Sequence, residues 1–199
     1  LSLGLRKALA GREVSLLHVS LSWNGATWPF RHPLDYLGSD GGGGVGGGPR
    51  IAVGSALALQ HVGSKRMPVA VCGDGDYLMG VTALWTAVHY RIPMLFVIAN
   101  NISYNNDVEH QERMARMRDR PVENKWIGQF MNDPECDLVK MAEGQGAKGF
   151  GQVKTLAEME KALADAIKVV DAGGVALVDV RIEQISRVDA AAMKKGSDR

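Results

Sequence analysis

Apolar residues along this chain fall into short unbroken runs that alternate with stretches at helical spacing. Residues 13–19 (EVSLLHV), 69–72, 94–99, 149–153 and 175–180 read as strands. Several of them are continuously apolar rather than alternating, as strands covered on both faces are. Between them, residues 3–10, 50–62, 78–90, 106–119, 135–143 and 155–170 read as helices, and residues 20–40 read as an irregular loop. On residues 78–90, Leu78, Val81, Leu84, Trp85 and Val88 form one apolar stripe. Thr155 with Glu158 three places on has the spacing of a capping box, and Gly173-Gly174 closes the same helix. This order predicts an α/β fold, a doubly wound parallel sheet with helices on both faces. Residues 1–185 are expected to form the domain and 186–199 a polar tail.

Composition narrows the partners. Lys plus Arg number 23 against 22 Asp plus Glu, a net charge of +1 in 199 residues. So even a balance supplies no field for capturing nucleic acid or an anionic membrane. No apolar run approaches the ~18–20 residues of a membrane span. Two cysteines, Cys72 and Cys136, make no disulfide framework, so a cytoplasmic setting is expected. The five histidines show no metal-ligand spacing. Arg113, Arg116, Arg118 and Arg120 interleave with acids, as on a solvated helix face. The chain starts at Leu1 without Met, which suggests a piece of a longer polypeptide.

Glycine changes the picture most. Seven of the 24 glycines occupy residues 41–48, interrupted by Val45. Gly41, Gly43 and Gly46 match the dinucleotide fingerprint formally, but residues 36–40 are not the apolar strand that should precede it. The apolar helix directly after the window argues for a packed turn rather than a flexible linker.

Parallel sheets bind ligands at the carboxyl ends of their strands. Gly73-Asp74-Gly75 ends one predicted strand, and Asn101, 27 residues after Asp74, follows the next. One strand–helix–strand unit therefore brings the two ends side by side. A carboxylate and an amide oxygen are hard ligands suited to Mg²⁺ carrying phosphate oxygens. The glycines let backbone N–H groups approach an anion, and a helix starting near Tyr77 aims its dipole there. The reading is a Mg²⁺–diphosphate site.

With Asn100-Asn101 at this distance, Gly73-Asp74-Gly75 resembles the thiamine diphosphate motif. Residues 69–101 are similar to the C-terminal diphosphate-binding domain of the acetolactate synthase and benzoylformate decarboxylase group, and the resemblance extends over residues 13–182. It implies Mg²⁺ held by the side chains of Asp74 and Asn101 and the carbonyl of Ser103. It also implies cofactor contacts from Gly73, Gly75 and Asp76, from Ser20 beside the aminopyrimidine, and from Val45 as the apolar prop of the bent cofactor. Pro49 stands one place from the family's usual pattern. The implied activity is decarboxylation or carboligation of a 2-oxo acid. The activating Glu is expected on a separate pyrimidine-binding domain, absent here and supplied by the parent chain or a second subunit of a homo-oligomer. Glu109-His110 replaces the Gln-Trp pair that acetolactate synthases show, which leaves a benzoylformate-like aryl substrate equally open. A non-catalytic module used in regulation or assembly is the alternative.

Overall fold

The computed structural model describes residues 1–21, 23–38 and 44–184. They divide into two units. The first comprises Leu1–Asn100 with Asp137–Ile182; the second comprises Asn101–Cys136 with the described residues beyond Ile182.

The first unit is built on five strands: β1 (Val14–His18), β2 (Met67–Gly73), β3 (Met94–Asn100), β4 (Lys148–Val153) and β5 (Val175–Arg181). All pair in parallel, in the order β1-β2-β3-β5-β4. Its helices are α1 (Ser2–Ala8), α2 (Gly48–His61), α3 (Asp74–Gly80) and α4 (Ala83–His89), followed after the second unit's α5 (Asn105–Met117) by α6 (Leu138–Gly144) and α7 (Leu156–Asp171).

Successive residues of one strand feed opposite faces of the sheet. Val69, Val71, Leu95, Val97, Ala176 and Val178 pack in one core with Leu5 of α1 and with Leu163 and Ile167 of α7. Ala70, Cys72, Phe96, Ile98 and Leu177 pack in the other, with Ala52 and Ala56 of α2, Tyr77, Leu84 and Leu138. Crossovers that advance β1 to β2 to β3 carry their helices on this second face, while the backward step from β4 to β5 carries α7 on the first. A right-handed crossover requires that change of face when the direction reverses. The doubly wound fold is as expected.

The sequence pattern located these elements within a few residues, with two differences. The apolar stripe over residues 78–90 is two helices, not one, interrupted at Val81-Thr82. Gly80, just before the break, lies so close to the glycine turn that a Cβ there would meet Gly46 O at 2.8 Å and Pro49 Cγ at 2.9 Å. α3 also begins at Asp74, three residues before the expected start, so Asp74 and Gly75 form its first turn rather than a loop. The expected tail and Gly41–Gly43 lie outside the described residues. No helix among the described residues is long and apolar enough to cross a membrane.

The capping box forms as its spacing predicts. Glu158 N–H donates to Thr155 Oγ1 at 3.2 Å, and Thr155 N–H donates to Glu158 Oε2 at 3.0 Å. Thr155→Ala should cost about 1 kcal/mol, read as a lower urea midpoint with an unchanged slope.

Candidate functional site

The site follows from where β2 and β3 stop. They pair with Gly73 opposite Ala99, so Asp74 and Asn100 leave neighbouring strand ends on the same edge of the sheet. Asp74 is 4% exposed, and its Oδ1 accepts from Gly75 N–H at 2.9 Å. A Cβ on Gly73 would meet nothing within 4 Å, so the backbone leading into α3 is bordered by open space. Asn100 Nδ2 donates to Asp179 Oδ1 at 3.0 Å, joining the ends of β3 and β5. Behind this edge Tyr77 is buried and donates to Leu138 O at 3.3 Å. Burial, with the charge of Asp179 and the Cys72 thiol beside it, pushes its phenol well above the ordinary range.

The described part of the glycine window forms the packed turn expected for it. Gly47 N–H closes on Gly44 O at 2.9 Å, and Gly46 takes φ +91°, the left-handed conformation a glycine adopts without strain. Val45 at its tip is 46% exposed, an apolar side chain offered to solvent. The carboxylate of Asp76 holds the turn: Oδ1 accepts from Gly46 N–H at 2.7 Å and Gly48 N–H at 3.2 Å, and Oδ2 faces His18 Nε2 at 3.3 Å. Burial works to raise the Asp76 pKa, but the hydrogen bonds from His18, Gly46 and Gly48 outweigh it and hold the group below its ordinary value. Burial, with the Asp76 charge next to it, pushes the Cys72 thiol up, so it is an inert core group. Ser20 lies two residues past β1, where its carbonyl accepts from Trp23 N–H at 2.9 Å.

In the second unit, Asn101 Oδ1 accepts from Ser103 N–H at 3.1 Å, and Gln184 Nε2 donates to Asn101 O at 2.6 Å. The Ser103 hydroxyl also donates to Asn101 Oδ1, at 3.4 Å, so Ser103 fixes the amide by two bonds. Ser103 is buried and bridges antiparallel to Phe130. Between them Ile102 has φ +53°, a conformation that costs a β-branched residue of the order of 1–3 kcal/mol. Glu112 of α5 is buried against Arg116 and Lys125. Lys125 foremost, then Arg116, holds its carboxyl below the ordinary value.

The first unit thus gathers Val45, Gly73, Asp74, Gly75 and Asp76 around the ends of β1 and β2, and the second holds Asn101 and Ser103 in one short turn. In the first unit, the buried Asp74 carboxylate is a hard oxygen donor of the kind Mg²⁺ takes, and the open space at Gly73 and Gly44 suits backbone approach to phosphates. The residues present fit the group. Sequence reasoning missed His18 and the side-chain role of Asp76; the available signal was a second acid directly after Gly-Asp-Gly.

An α/β domain with a buried acid and glycine turns at the carboxyl ends of parallel strands has the form of a cofactor-binding domain. Residues 20–180 match the family described as thiamine pyrophosphate enzyme, C-terminal TPP binding domain, and the chain belongs to that family. Benzoylformate decarboxylase of Pseudomonas aeruginosa is 31% identical over 163 residues, which are 80% of this chain and 28% of that protein. The acetolactate synthase large subunit of Buchnera aphidicola subsp. Schizaphis graminum is 29% identical over 161 residues, 81% of this chain and 26% of that one. The solved thiamine diphosphate-dependent 4-hydroxybenzoylformate decarboxylase of Rhodococcus jostii RHA1 superposes with a TM-score of 0.71 at 28% identity, over 91% of this chain and 32% of that chain. The chain therefore spans between a quarter and a third of the length of these relatives.

Two predictions follow from this geometry. A Cβ on Gly48 would stand 2.0 Å from Asp76 Oδ2 and 2.7 Å from His18 Nε2, whereas one on Gly44 would meet nothing within 4 Å. Gly48→Ala should therefore cost roughly 1–3 kcal/mol by overpacking and Gly44→Ala should be near neutral, measured by chemical denaturation. Glu112 has a depressed pKa, so its pairing contributes stability above the ordinary glutamate value of 4.5 and loses it as pH falls through the lower folded value. Protection factors in α5, corrected for intrinsic exchange, should fall on acidification, and Glu112→Gln should flatten that dependence.

Proposed function

We propose that this chain binds the diphosphate end of thiamine diphosphate together with Mg²⁺, as the C-terminal cofactor domain of an enzyme that decarboxylates or joins 2-oxo acids. The observation that carries the reading is the paired ending of β2 and β3, with Asp74 directly after one and Asn101 one residue past the other. Family membership supports the thiamine group; the donor chemistry supports the metal.

In this reading Asp74 and Asn101 ligate Mg²⁺ by side-chain oxygen, and Ser103 adds its carbonyl. Gly73, Gly75 and Asp76 offer backbone to the diphosphate in the first turn of α3, where N–H groups have no intrahelical acceptor. Val45 is the apolar support under the bend of the cofactor, and Ser20 borders its pyrimidine. When bound, thiamine diphosphate supplies the carbon nucleophile and the electron sink for loss of carbon dioxide. The protein's contribution is shape: the turn at Gly44–Gly47 sets the height of Val45, and the strand ends fix the metal ligands.

The proton acceptor that activates the cofactor belongs to a pyrimidine-binding domain outside residues 1–199, from the parent chain or a second subunit of a homo-oligomer. The half-exposed Trp85, stacked on His89, and the exposed Met79 and Tyr90 support a partner surface. Relatives named for benzoylformate and for acetolactate keep both an aryl and a short-chain 2-oxo acid in view. Glu109-His110 in α5 departs from the acetolactate pattern. The free state of Cys72 and Cys136 is in keeping with a cytoplasmic setting.

Isothermal titration with thiamine diphosphate should show binding that needs Mg²⁺, and ligand at a hundredfold over Kd should stabilise the fold by about 2.7 kcal/mol. Asp74→Ala should abolish the Mg²⁺-dependent part and leave the circular dichroism spectrum unchanged. Retention of that part by the variant would remove Asp74 as a ligand. The chain alone should release no carbon dioxide from a 2-oxo acid, and robust turnover would overturn the divided active site.

A further inference from the structure

Asp76 lies in the first turn of α3, yet its side chain serves two segments far from it in sequence. Besides its own helix, it accepts from Gly46 and Gly48 in the glycine turn and meets His18 at the end of β1. A carboxylate only accepts, and His18 Nε2, which can donate, lies 3.3 Å from its Oδ2. His18 is 6% exposed, and its Nδ1 has no hydrogen-bond partner among the described residues. Burying an imidazole with one nitrogen unsatisfied is unfavourable, and the contact with Asp76 is the polar interaction that offsets it. The missing Cβ of Gly48 makes the room: a methyl group there would overlap both partners.

We propose that His18 is a positioning residue for the cofactor. It holds the Asp76 carboxylate with Oδ1 turned toward Gly46 and Gly48. The start of α3, which takes the diphosphate, and the turn that carries Val45 then move as one body. Oδ2 is buried with no hydrogen-bond partner among the described residues, and its polar neighbours are His18 Nε2 at 3.3 Å and the Cys72 thiol. Without His18 only the thiol faces it, the carboxylate reorients, and the two glycine N–H groups lose a charged acceptor. The diphosphate contacts of α3 survive that change, but the height of Val45 does not. This role rests on the thiamine diphosphate reading above.

The test compares the unaltered chain with His18→Leu and His18→Gln, the latter an amide that can donate to the same oxygen. Amide exchange is read at Gly46 and Gly48, and affinity is read for two probes, Mg²⁺–thiamine diphosphate and Mg²⁺–pyrophosphate. In His18→Leu, protection of Gly46 and Gly48 should fall about tenfold while β2 and β3 keep theirs. Affinity for Mg²⁺–thiamine diphosphate should fall about tenfold and that for Mg²⁺–pyrophosphate by less than about twofold. His18→Gln should recover most of both losses. Should His18→Leu fail to fold, Gly48→Ala breaks the same contact from the other side and must give the same split.

Equal loss for both probes, or protection lost across the whole sheet, would show general support of the fold and overturn the positioning role. Unchanged exchange at Gly46 and Gly48 would overturn the latch itself. An unaltered chain that binds neither probe would overturn the cofactor reading and the positioning role with it, and the exchange data would still show whether the latch exists.

Discussion

Everything at the site depends on the parallel pairing of β2 with β3. Its register, Val69 with Leu95 through Gly73 with Ala99, is pinned by two cores at once. Val71 and Val97 belong to one, Cys72 and Ile98 to the other. Slipping either strand by one residue would turn each of these side chains to the opposite face and disrupt both cores together. The position of Asp74 relative to the end of β3 is therefore fixed by packing, not by the polar residues themselves. Asp74 inherits the accuracy of the hydrophobic core.

Strands were legible because burial on both faces leaves runs such as MLFVIA, and α7 was legible because its cap is local, Thr155 and Glu158 being three residues apart. The side-by-side ends of β2 and β3 were legible because a strand–helix–strand unit has a predictable span. Two features escaped for one physical reason: they depend on contacts distant in sequence. The break between α3 and α4 comes just after Gly80, which packs close against Gly46 O and Pro49, and nothing in the apolar stripe of residues 78–90 records that approach. Asp76 reads as a backbone contact from its place after Gly-Asp-Gly, yet its side chain is committed to glycines 28 and 30 residues earlier. His18 reads as one apolar-strand histidine among five. The glycine window was legible as a turn, but not the carboxylate that holds it.

Asn101 and Ser103 show how a short segment can be over-determined. Ile102 stands between them at positive φ, where glycine would be at ease. The Asn101–Ser103 hydrogen bond and the bond from Met131 N–H to Ile102 O at 2.9 Å hold it there. Strain kept in place by surrounding bonds is a common companion of binding loops. It gives the second unit a fixed presentation of the residues that the family resemblance assigns to the metal.

The shared carboxylate at Asp76 has a consequence beyond this one molecule. His18, Gly48 and Asp76 interlock so closely that none can change size alone. A shorter residue at 76 strands the imidazole, a side chain at 48 collides with both, and an apolar residue at 18 strands the acid. Such positions should be inherited as a set. Across the family, the residue after Gly-Asp-Gly should covary with the last residue of the first strand. That pair would separate lineages whose cofactor turn is fastened from below from those that shape it by other means.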